Sequence, residues 1–291
     1  MGSSNQKKRI IGALSLVTST VFLGGCGLGA EAEEQGREIG SAIACALVNC
    51  TNSDTMIVSD ITASYFVTQK NGQVSIGAFF GQTANVLTTV AITGGDALSA
   101  AVDNQPVTFQ ATPTFGSPYT ARVADASLQP VASINFVRGV TSYTSTVTLP
   151  PSFSMLSPTR VVNVGKSTGN LVVQLSIPTT TNVQGTINGS CNRADGSNFV
   201  ISDPIPVSVT PVPNTNNNFA MATADIDSQV NYAGQTANAQ GVSNKSPVTT
   251  CALQVDWQTQ VSGVVSPSFY KASRILGIQS VENQVNYDAR I

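Results

Sequence analysis

Few side chains in this chain could do chemistry, and histidine is missing altogether. Its absence excludes Ser-His-Asp and Cys-His catalysis, a histidine-ligated zinc ion and a histidine proton shuttle. Ser268-Phe269-Tyr270-Lys271 has the S-x-x-K spacing in which a lysine can activate a serine. The K-T-G motif that should accompany it is absent, and Ser202-Asp203 is followed by Pro204 rather than by asparagine. We therefore interpret the S-x-x-K match as chance.

Two other short segments could bind an ion. Gly165-Lys166-Ser167 has the end of a phosphate-binding loop, but Arg160 stands where that motif needs its first glycine. Asp225 and Asp227 would share one face of a strand and could offer oxygens to calcium, although the spaced carboxylates of a calcium loop are missing. A turn and a solvated strand face are the better interpretations, so we predict no metal and no cofactor.

Paired carboxylates and an exposed aromatic side chain would indicate a carbohydrate enzyme or binder. No glutamate occurs between Glu38 and Glu282, and Asp96 and Asp195 stand beside glycines as turn formers do. Trp257 could stack on a sugar, but it alternates in phase with apolar neighbours and is expected in a core. These features argue against an enzyme.

The amino-terminal segment carries the most specific pattern in the chain. Lys7-Lys8-Arg9 precedes an apolar run, Ile10 to Leu23, that is too short to span a membrane as a helix. The run ends in Leu23-Gly24-Gly25-Cys26, with small residues before a cysteine. This segment resembles a bacterial lipoprotein signal peptide, comprising residues 1–25. A plain secretory peptide cut elsewhere, with Cys26 left as a thiol, is the alternative.

The resemblance implies a cellular location and a membrane anchor. Cleavage before Cys26 would be followed by acylation of its sulfur and its new amino group, with palmitate among the chains. Each buried methylene contributes about 0.8 kcal/mol, so two or three chains hold a protein on a membrane where one does not. Gly27 at the next position implies, by resemblance to sorting patterns, the outer membrane, with the protein facing the periplasm or the surface.

Charge and composition exclude one class of partner. The chain has a net charge of −2 with only 10% charged residues, and cleavage would remove three of its cations. No basic stripe exists to displace the counterions of a nucleic acid, so we expect no nucleic-acid partner. Hydrophobic residues make up 41% of the chain, which is typical of a folded exported β-protein rather than of a disordered one.

Cysteine usage predicts disulfides. Apart from Cys26, the chain has Cys45, Cys50, Cys191 and Cys251, an even number that suits an oxidising compartment. Three connectivities are open, of which we favour Cys45–Cys50 and Cys191–Cys251. Metal binding by these four is disfavoured because no close CxxC pair occurs.

A short helical tether is expected after the anchor. Within residues 26–56, Ile39, Ile43 and Leu47 recur at helical spacing and predict an amphipathic helix over about 31–47. Cys45 and Cys50 are too far apart for a disulfide in continuous helix. Either the helix ends near Leu47, or these cysteines pair elsewhere.

From residue 57 the hydrophobic period changes to two. Asn71-Gly72 separates two alternating runs and predicts a hairpin, and further runs at 86–92, 106–111, 118–124, 131–137 and 141–149 follow at sandwich-like spacing. Pro150-Pro151 interrupts the pattern. We therefore predict one β-sandwich over 57–149 and a second over 153–291.

The second sandwich is expected to carry an inter-sheet disulfide. Cys191 and Cys251 both lie in the inward register of their strands, in 183–191 and 251–257, with Trp257 in the same core. Their separation of about 60 residues is that of a sheet-to-sheet link in immunoglobulin-type domains, with Cα atoms about 4.4–6.8 Å apart. Residues 204–218 are expected to form an edge strand and an exposed loop, and residues 232–248 another long loop. Strands near 262–266 and 276–287 are expected to close the chain.

The sequence thus predicts an all-β protein with two immunoglobulin-like β-sandwich domains after a signal peptide and a short helical tether. In this it is similar to Gram-negative envelope lipoproteins that carry immunoglobulin-like domains. The expected function is a non-enzymatic binding or structural role at the envelope, with an envelope protein or a polysaccharide as partner. A carbohydrate-binding or adhesion module is the alternative, and an envelope hydrolase is a distant third.

Overall fold

The computed structural model describes residues 50–83, 85–110, 119–159, 161–236 and 246–291. The predicted signal peptide, Cys26, Cys45 and the helix expected over 31–47 lie outside these residues. Among the described helices, none has the length and apolar character needed to cross a membrane.

The described residues are mostly β-strand, which confirms the predicted all-β class. Three short 3-10 turns occupy Ser53–Thr55, Val58–Asp60 and Lys166–Thr168, and the α-helix α1 spans Thr223–Thr236. The strands are β1 (Cys50–Asn52), β2 (Ile61–Lys70), β3 (Gln73–Gln82), β4 (Asn85–Ala91), β5 (Asp96–Val102), β6 (Gln105–Val107), β7 (Tyr119–Ala124), β8 (Val131–Arg138), β9 (Thr141–Thr148), β10 (Met155–Ser157), β11 (Val162–Gly165), β12 (Asn170–Leu175), β13 (Gln184–Arg193), β14 (Asn198–Val207), β15 (Thr210–Pro211), β16 (Asn218–Ala222), β17 (Val248–Ser262) and β18 (Arg274–Asp288).

The strands form one large sheet and two small ones. The large sheet has the order β1-β4-β3-β2-β18-β17-β13-β14, with β7 beside β3 and β11 beside β18. The first small sheet is β6-β5-β8-β9 and the second is β10-β12-β16-β15. Most neighbours are antiparallel, but β1 pairs with β4 in parallel, and β2 and β11 both pair with β18 in parallel.

The β2–β3 hairpin confirms the turn predicted at Asn71-Gly72. Lys70 pairs with Gln73, and the two residues between them have φ of 52° and 72°. Both angles lie in the left-handed region that a type I′ turn requires, and asparagine followed by glycine is the pair that adopts it most readily. The turn fixes the register that points Tyr65 and Val67 of β2 into a core.

The first core lies between the large sheet and the first small sheet. Tyr65, Phe80, Phe136 and Phe269 are buried there, and Phe80 lies 5.8–6.5 Å, centroid to centroid, from the other three rings. Edge-to-face and tilted ring pairs of this kind add about 0.5–1.5 kcal/mol each beyond the burial of their area. This aromatic cluster joins β2 and β3 to β8 and to the loop before β18.

The second core lies on the same side of the large sheet, farther along it. Leu171 and Val173 of β12 pack with Trp257 of β17 and with Ile226 and Val230 of α1. The helix is a correction, because residues 225–227 were interpreted as strand and 232–236 as loop. Ile226, Val230 and Ala233 recur at helical spacing, and the short Asp-Ile-Asp alternation concealed that longer period.

The two cores share one sheet. Most residues of the first core precede Pro150-Pro151 in the sequence, and all residues of the second core follow it. Leu149 belongs to the first core and Phe153 to the second. However, Phe269 and Ile275 from the end of the chain belong to the first core. The cores also lie within a single compact unit, Ala44–Ile291. Strand β18 thus extends through both.

The Cys191–Cys251 disulfide is present, and both cysteines face the second core as predicted. The expected sheet-to-sheet placement is wrong, because Cys191 and Cys251 are direct partners on the neighbouring strands β13 and β17 of one sheet. Their Cα atoms are 4.1 Å apart, below the expected range. Directly opposed residues in antiparallel sheets lie about 4.5–5.5 Å apart, so this placement favours the lower end of the disulfide range, and the observed distance is slightly shorter still.

We expect the disulfide to contribute to stability mainly by restricting the unfolded chain. It closes a loop of 60 residues, worth about 4 kcal/mol in the chain-entropy model. The double variant Cys191→Ala/Cys251→Ala should therefore unfold at lower denaturant concentration while its far-ultraviolet β-type spectrum is retained. Loss of that spectrum would show instead that β13 and β17 need the covalent bond in order to pair.

A polar row separates the two cores within the large sheet. Gln69, Gln279 and Thr259 are direct partners on β2, β18 and β17, and each is at least nine-tenths buried on the core side. The Gln69 side chain donates to the backbone oxygens of Asp125 and Ser127, at 2.9 and 3.0 Å. Gln69 Oε1, Gln279 Oε1 and Thr259 Oγ1 have no hydrogen-bond partner among the described residues.

Replacing Thr259 by valine tests how much the unsatisfied polar groups of this row lower the free energy of unfolding. An unsatisfied buried hydroxyl costs about 1–3 kcal/mol, and valine keeps the shape of threonine without the hydroxyl. We expect Thr259→Val to raise the free energy of unfolding by about 1 kcal/mol in chemical denaturation. A lower value would show that a solvent molecule satisfies Thr259 Oγ1.

Candidate functional site

The predicted site residues are only partly within the described structure. Cys26 and Cys45 lie outside it, so neither acylation nor the predicted pairing of Cys45 with Cys50 can be placed. Cys50 begins β1 and is itself disulfide-bonded.

The S-x-x-K segment lies in the turn between β17 and β18. Ser268 and Lys271 are both exposed, whereas Phe269 between them is buried in the aromatic cluster of the first core. A lysine activates a serine when the two are held together away from water, and here both side chains face solvent. The segment anchors the turn to the core through Phe269.

Lys166 and Asp227, from the two segments that could have bound ions, contact each other. Lys166 Nζ lies 2.9 Å from Asp227 Oδ2, and the Tyr287 hydroxyl donates to Asp227 Oδ1 at 2.7 Å. Asn231, one turn along α1, donates to the same carboxylate oxygen at 3.2 Å. Lys166 therefore neutralises a carboxylate, and the contact joins the turn after β11 to α1 and to β18.

Asp227 is held in its charged form. Partial burial opposes the charge and is the largest influence, but the hydrogen bonds from Tyr287, Lys166 and Asn231 together outweigh it and lower the pKa of Asp227. The pKa of the Tyr287 hydroxyl is raised, first by burial and then by its bond to that carboxylate. Neither group is poised to exchange protons near neutral pH, so this cluster is suited to structural support.

Trp257 is fully buried in the second core, which confirms the prediction for this residue. Its indole nitrogen donates to Asn283 Oδ1 at 2.9 Å, across the β17–β18 pair. The indole is thus unavailable for stacking on a ligand. Asp195 is also confirmed as a turn former, because its carboxylate accepts the backbone N–H of Ser197 at 2.9 Å.

Asp96 has a further role that the sequence did not indicate. It begins β5 after the Gly94-Gly95 turn, and its buried carboxylate binds Arg138 through two hydrogen bonds of 2.8 and 2.5 Å. The Arg138 guanidinium also donates to the backbone oxygens of Met56 and Ser53. Asp96 and Arg138 therefore attach the segment after β1 to the first small sheet.

A buried arginine stands near the end of α1. Arg193 is 5% exposed, stacks over the Phe199 ring at 4.4 Å and donates to the backbone oxygen of Gly234 at 2.7 Å. A cation at a helix carboxyl terminus is favoured by the helix dipole. A cavity of about 180 Å³ lies beside this end, lined by Asn231, Gly234, Gln235, Ser246, Pro247 and Val248. Its small volume suits a few water molecules better than an organic ligand.

The side of the large sheet that faces away from both cores, here called the open face, holds the second charged cluster. Lys70 Nζ donates to Asp256 Oδ1 at 2.6 Å and also binds Glu282. Burial opposes the charge on Lys70, but its bonds to both carboxylates raise its pKa. The sequence shows Asp256 on the polar side of β17, yet nothing local reveals that Lys70, 186 residues earlier, is its partner.

Around this cluster the open face is rich in carboxamides. Gln258 pairs with Gln184 on β13, Gln254 lies between Asn188 and Gln284, and Asn286 lies opposite Ala252. We call the six residues Gln184, Asn188, Gln254, Gln258, Gln284 and Asn286 the amide patch.

Apolar side chains occupy the other end of the same face. Phe66 and Phe79 make an edge-to-face pair at 6.1 Å, with Leu276 directly opposite Phe66 and Ile278 two residues along. Phe79 is 40% exposed, and Arg274 lies over the Phe66 ring at 5.4 Å. We call Phe66, Phe79, Leu276 and Ile278 the apolar patch, and the open face is the candidate binding surface.

No protein-family model matches the chain, and no curated protein is significantly similar to it. No group of three or more side chains able to hold a metal ion occurs in the part of the chain that the structure describes.

Asp227 and Asp225 provide a matched test of the first charged cluster. Asp227→Asn should lower the free energy of unfolding at neutral pH by about 1–2 kcal/mol, because Tyr287 and Lys166 would lose a charged acceptor. Since the pKa of Asp227 is lowered from its ordinary value of 3.8, its contribution is present above that pH and is lost as the pH falls below it. Denaturation curves of the variant and the parent protein should therefore converge in acid.

Asp225→Asn is the control, because Asp225 is exposed in the first turn of the same helix. It should change stability by less than about 0.5 kcal/mol at any pH. Equal effects of the two substitutions would mean that the helix dipole, rather than the contacts with Lys166 and Tyr287, accounts for the role of Asp227.

Proposed function

We propose that this protein is a lipid-anchored lipoprotein of the cell envelope with a non-enzymatic binding or structural role. The observation that carries the proposal is the segment from Lys7 to Cys26, in which a basic start, an apolar run and two small residues precede a cysteine. Acylation of Cys26 would hold the protein at a membrane, and the outer membrane is the proposed site.

The disulfide supports the same compartment. Cys191 and Cys251 are joined, and Cys50 is also disulfide-bonded. Stable structural disulfides belong to oxidising compartments such as the periplasm and the cell surface. Two independent features, the amino-terminal pattern and the cysteine chemistry, therefore favour export.

The open face supports a binding role rather than catalysis. Asp256 and Glu282 are carboxylates on neighbouring strands, but both of them bind the single ammonium group of Lys70. A glycosidase needs both carboxyl groups free to act on the scissile bond, whereas these two both contact the Lys70 ammonium. A hydrolase therefore remains the least supported reading, and a carbohydrate-binding or adhesion module is the alternative that the amide patch favours.

Replacing Cys26 tests the anchor. In cells that export the protein, Cys26→Ser should move it from the membrane fraction to the soluble fraction and abolish incorporation of labelled palmitate, because serine offers no sulfur for acylation. Gly29→Ala, three residues later, is the control and should stay with the membranes. A Cys26→Ser protein that still sediments and still takes up label would refute acylation at this position.

A further inference from the structure

The amide patch offers hydrogen-bonding groups that the protein itself leaves unused. The side chains of Gln184, Asn188, Gln258 and Gln284 make no hydrogen bond with other described residues, and those of Gln184 and Gln284 are exposed. Each carboxamide presents two N–H donors and an acceptor oxygen. The patch therefore shows solvent a mixture of donors and acceptors without charge.

The strands fix where these groups lie. Rows of side chains repeat every second residue, about 6.7 Å apart along a strand, and neighbouring strands are about 4.8 Å apart. Gln258 of β17 has Ser280 of β18 beside it, and the next row on this face holds the charged pair Asp256 and Glu282. The two rows after that hold Gln254 beside Gln284 and Ala252 beside Asn286. This is a rigid, repeating grid built on paired strands rather than on loops.

The centre of the open face disfavours ionic recognition, although Arg274 is exposed over the Phe66 ring at the apolar end. Lys70 is bound by two carboxylates, so the centre of the face carries no free cation that could bind a phosphate or an anionic lipid. The composition of the patch also differs from that of a protein interface, whose energetic centres are enriched in tryptophan, tyrosine and arginine. An uncharged ligand with many hydroxyl or amide groups is the better complement.

The apolar patch adds a surface for stacking at one end of the grid. Phe79 is exposed, and the strand β18 leads from Leu276 and Ile278 to Gln284 and Asn286 without interruption. Sugar rings have both features that this face would contact, a polar rim of hydroxyl groups and an apolar C–H surface that packs on aromatic rings. A chain of such rings laid along β18 would meet the apolar patch and the amide patch together.

We infer that the open face binds an uncharged, extended glycan, with the amide patch bonding its hydroxyl or acetamido groups and Phe79 packing on a ring. This inference rests on the proposed binding role and names its ligand class. It concerns residues of β3, β13, β17 and β18 and does not depend on whether Cys26 is acylated.

The test uses the full chain, purified in detergent, and three probes. These are β-1,4-linked hexasaccharides of glucose and of N-acetylglucosamine, and insoluble chitin. We expect saturable binding of at least one probe by calorimetry or co-sedimentation. Because no ion pair with the ligand is involved, the affinity should change little as sodium chloride is raised from about 50 to about 500 mM.

Two variants locate the site. Gln254→Ala/Gln284→Ala removes a cross-strand pair from the amide patch, and Phe79→Ala removes the exposed ring. Each should weaken binding at least about tenfold. The matched control is Gln105→Ala/Asn170→Ala, which removes two exposed amides from β6 and β12 of the small sheets. It should leave affinity unchanged.

Failure of all three probes to bind, or binding that the two open-face variants leave intact, would overturn the inference. Steep loss of affinity with salt would also overturn it, because that would indicate a charged ligand. If these tests fail but Cys26→Ser still releases the protein from membranes, the proposed lipid anchor stands and only the inferred glycan ligand is refuted. Specific capture of a protein partner that Gln254→Ala/Gln284→Ala abolishes would replace the glycan with that partner.

Discussion

Hydrogen bonding along β18 is the interaction on which the rest of the structure depends. This strand has 15 residues, so it extends for about 50 Å. It pairs with β17 over almost its whole length, with β2 in its first half and with β11 at its end. Alternate side chains of β18 point to the same side of the sheet along its whole length. The position of β18 therefore determines which side chains of the strands paired with it are buried in the first core and which in the second.

The residues on the core side of β18 change character along its length. Ile275 belongs to the first core, and Val285 and Tyr287 belong to the second. Between them lie Gln279 and Asn283, which are buried and polar. Asn283 accepts the Trp257 indole N–H, whereas Gln279 faces the row formed by Gln69 and Thr259. One sheet can thus support two cores because buried polar groups occupy the interval between them.

The local features of this fold could be predicted from the sequence because each depends on neighbouring residues. Alternation located many of the strands, Asn71-Gly72 located a hairpin, and the phase of Cys191 and Cys251 placed both on the core side. Alternation missed β5, β11 and β16, and the strand expected near 262–266 is instead the end of β17 and the loop that follows it. The disulfide nevertheless lies within one sheet, because register reports which way a side chain points and not which strand lies next to it. The parallel pairing of β2 with β18 joins residues about 210 positions apart, and no local pattern encodes it.

The same distinction explains which parts of the candidate site were missed. Asp227 was assigned to a strand because three residues alternate there, although the helical period of Ile226, Val230 and Ala233 continues over a longer segment. Lys70, Asp256 and Glu282 come from three strands and meet only after the large sheet has formed. Their charges look unremarkable in sequence, because each occupies an ordinary polar position of an alternating strand.

The order of events that this topology imposes fits the proposed export. The first core is completed by Phe269 and Ile275, near the end of the chain, and β2 needs β18 as its parallel neighbour. Contacts between residues so far apart form late, because the closure of a long loop must precede them. The first half of the chain therefore cannot finish folding until the last strand is available. A chain exported through a membrane in an unfolded form is held back from folding by that dependence, and the Cys191–Cys251 disulfide then joins β13 to β17 where oxidation is favoured.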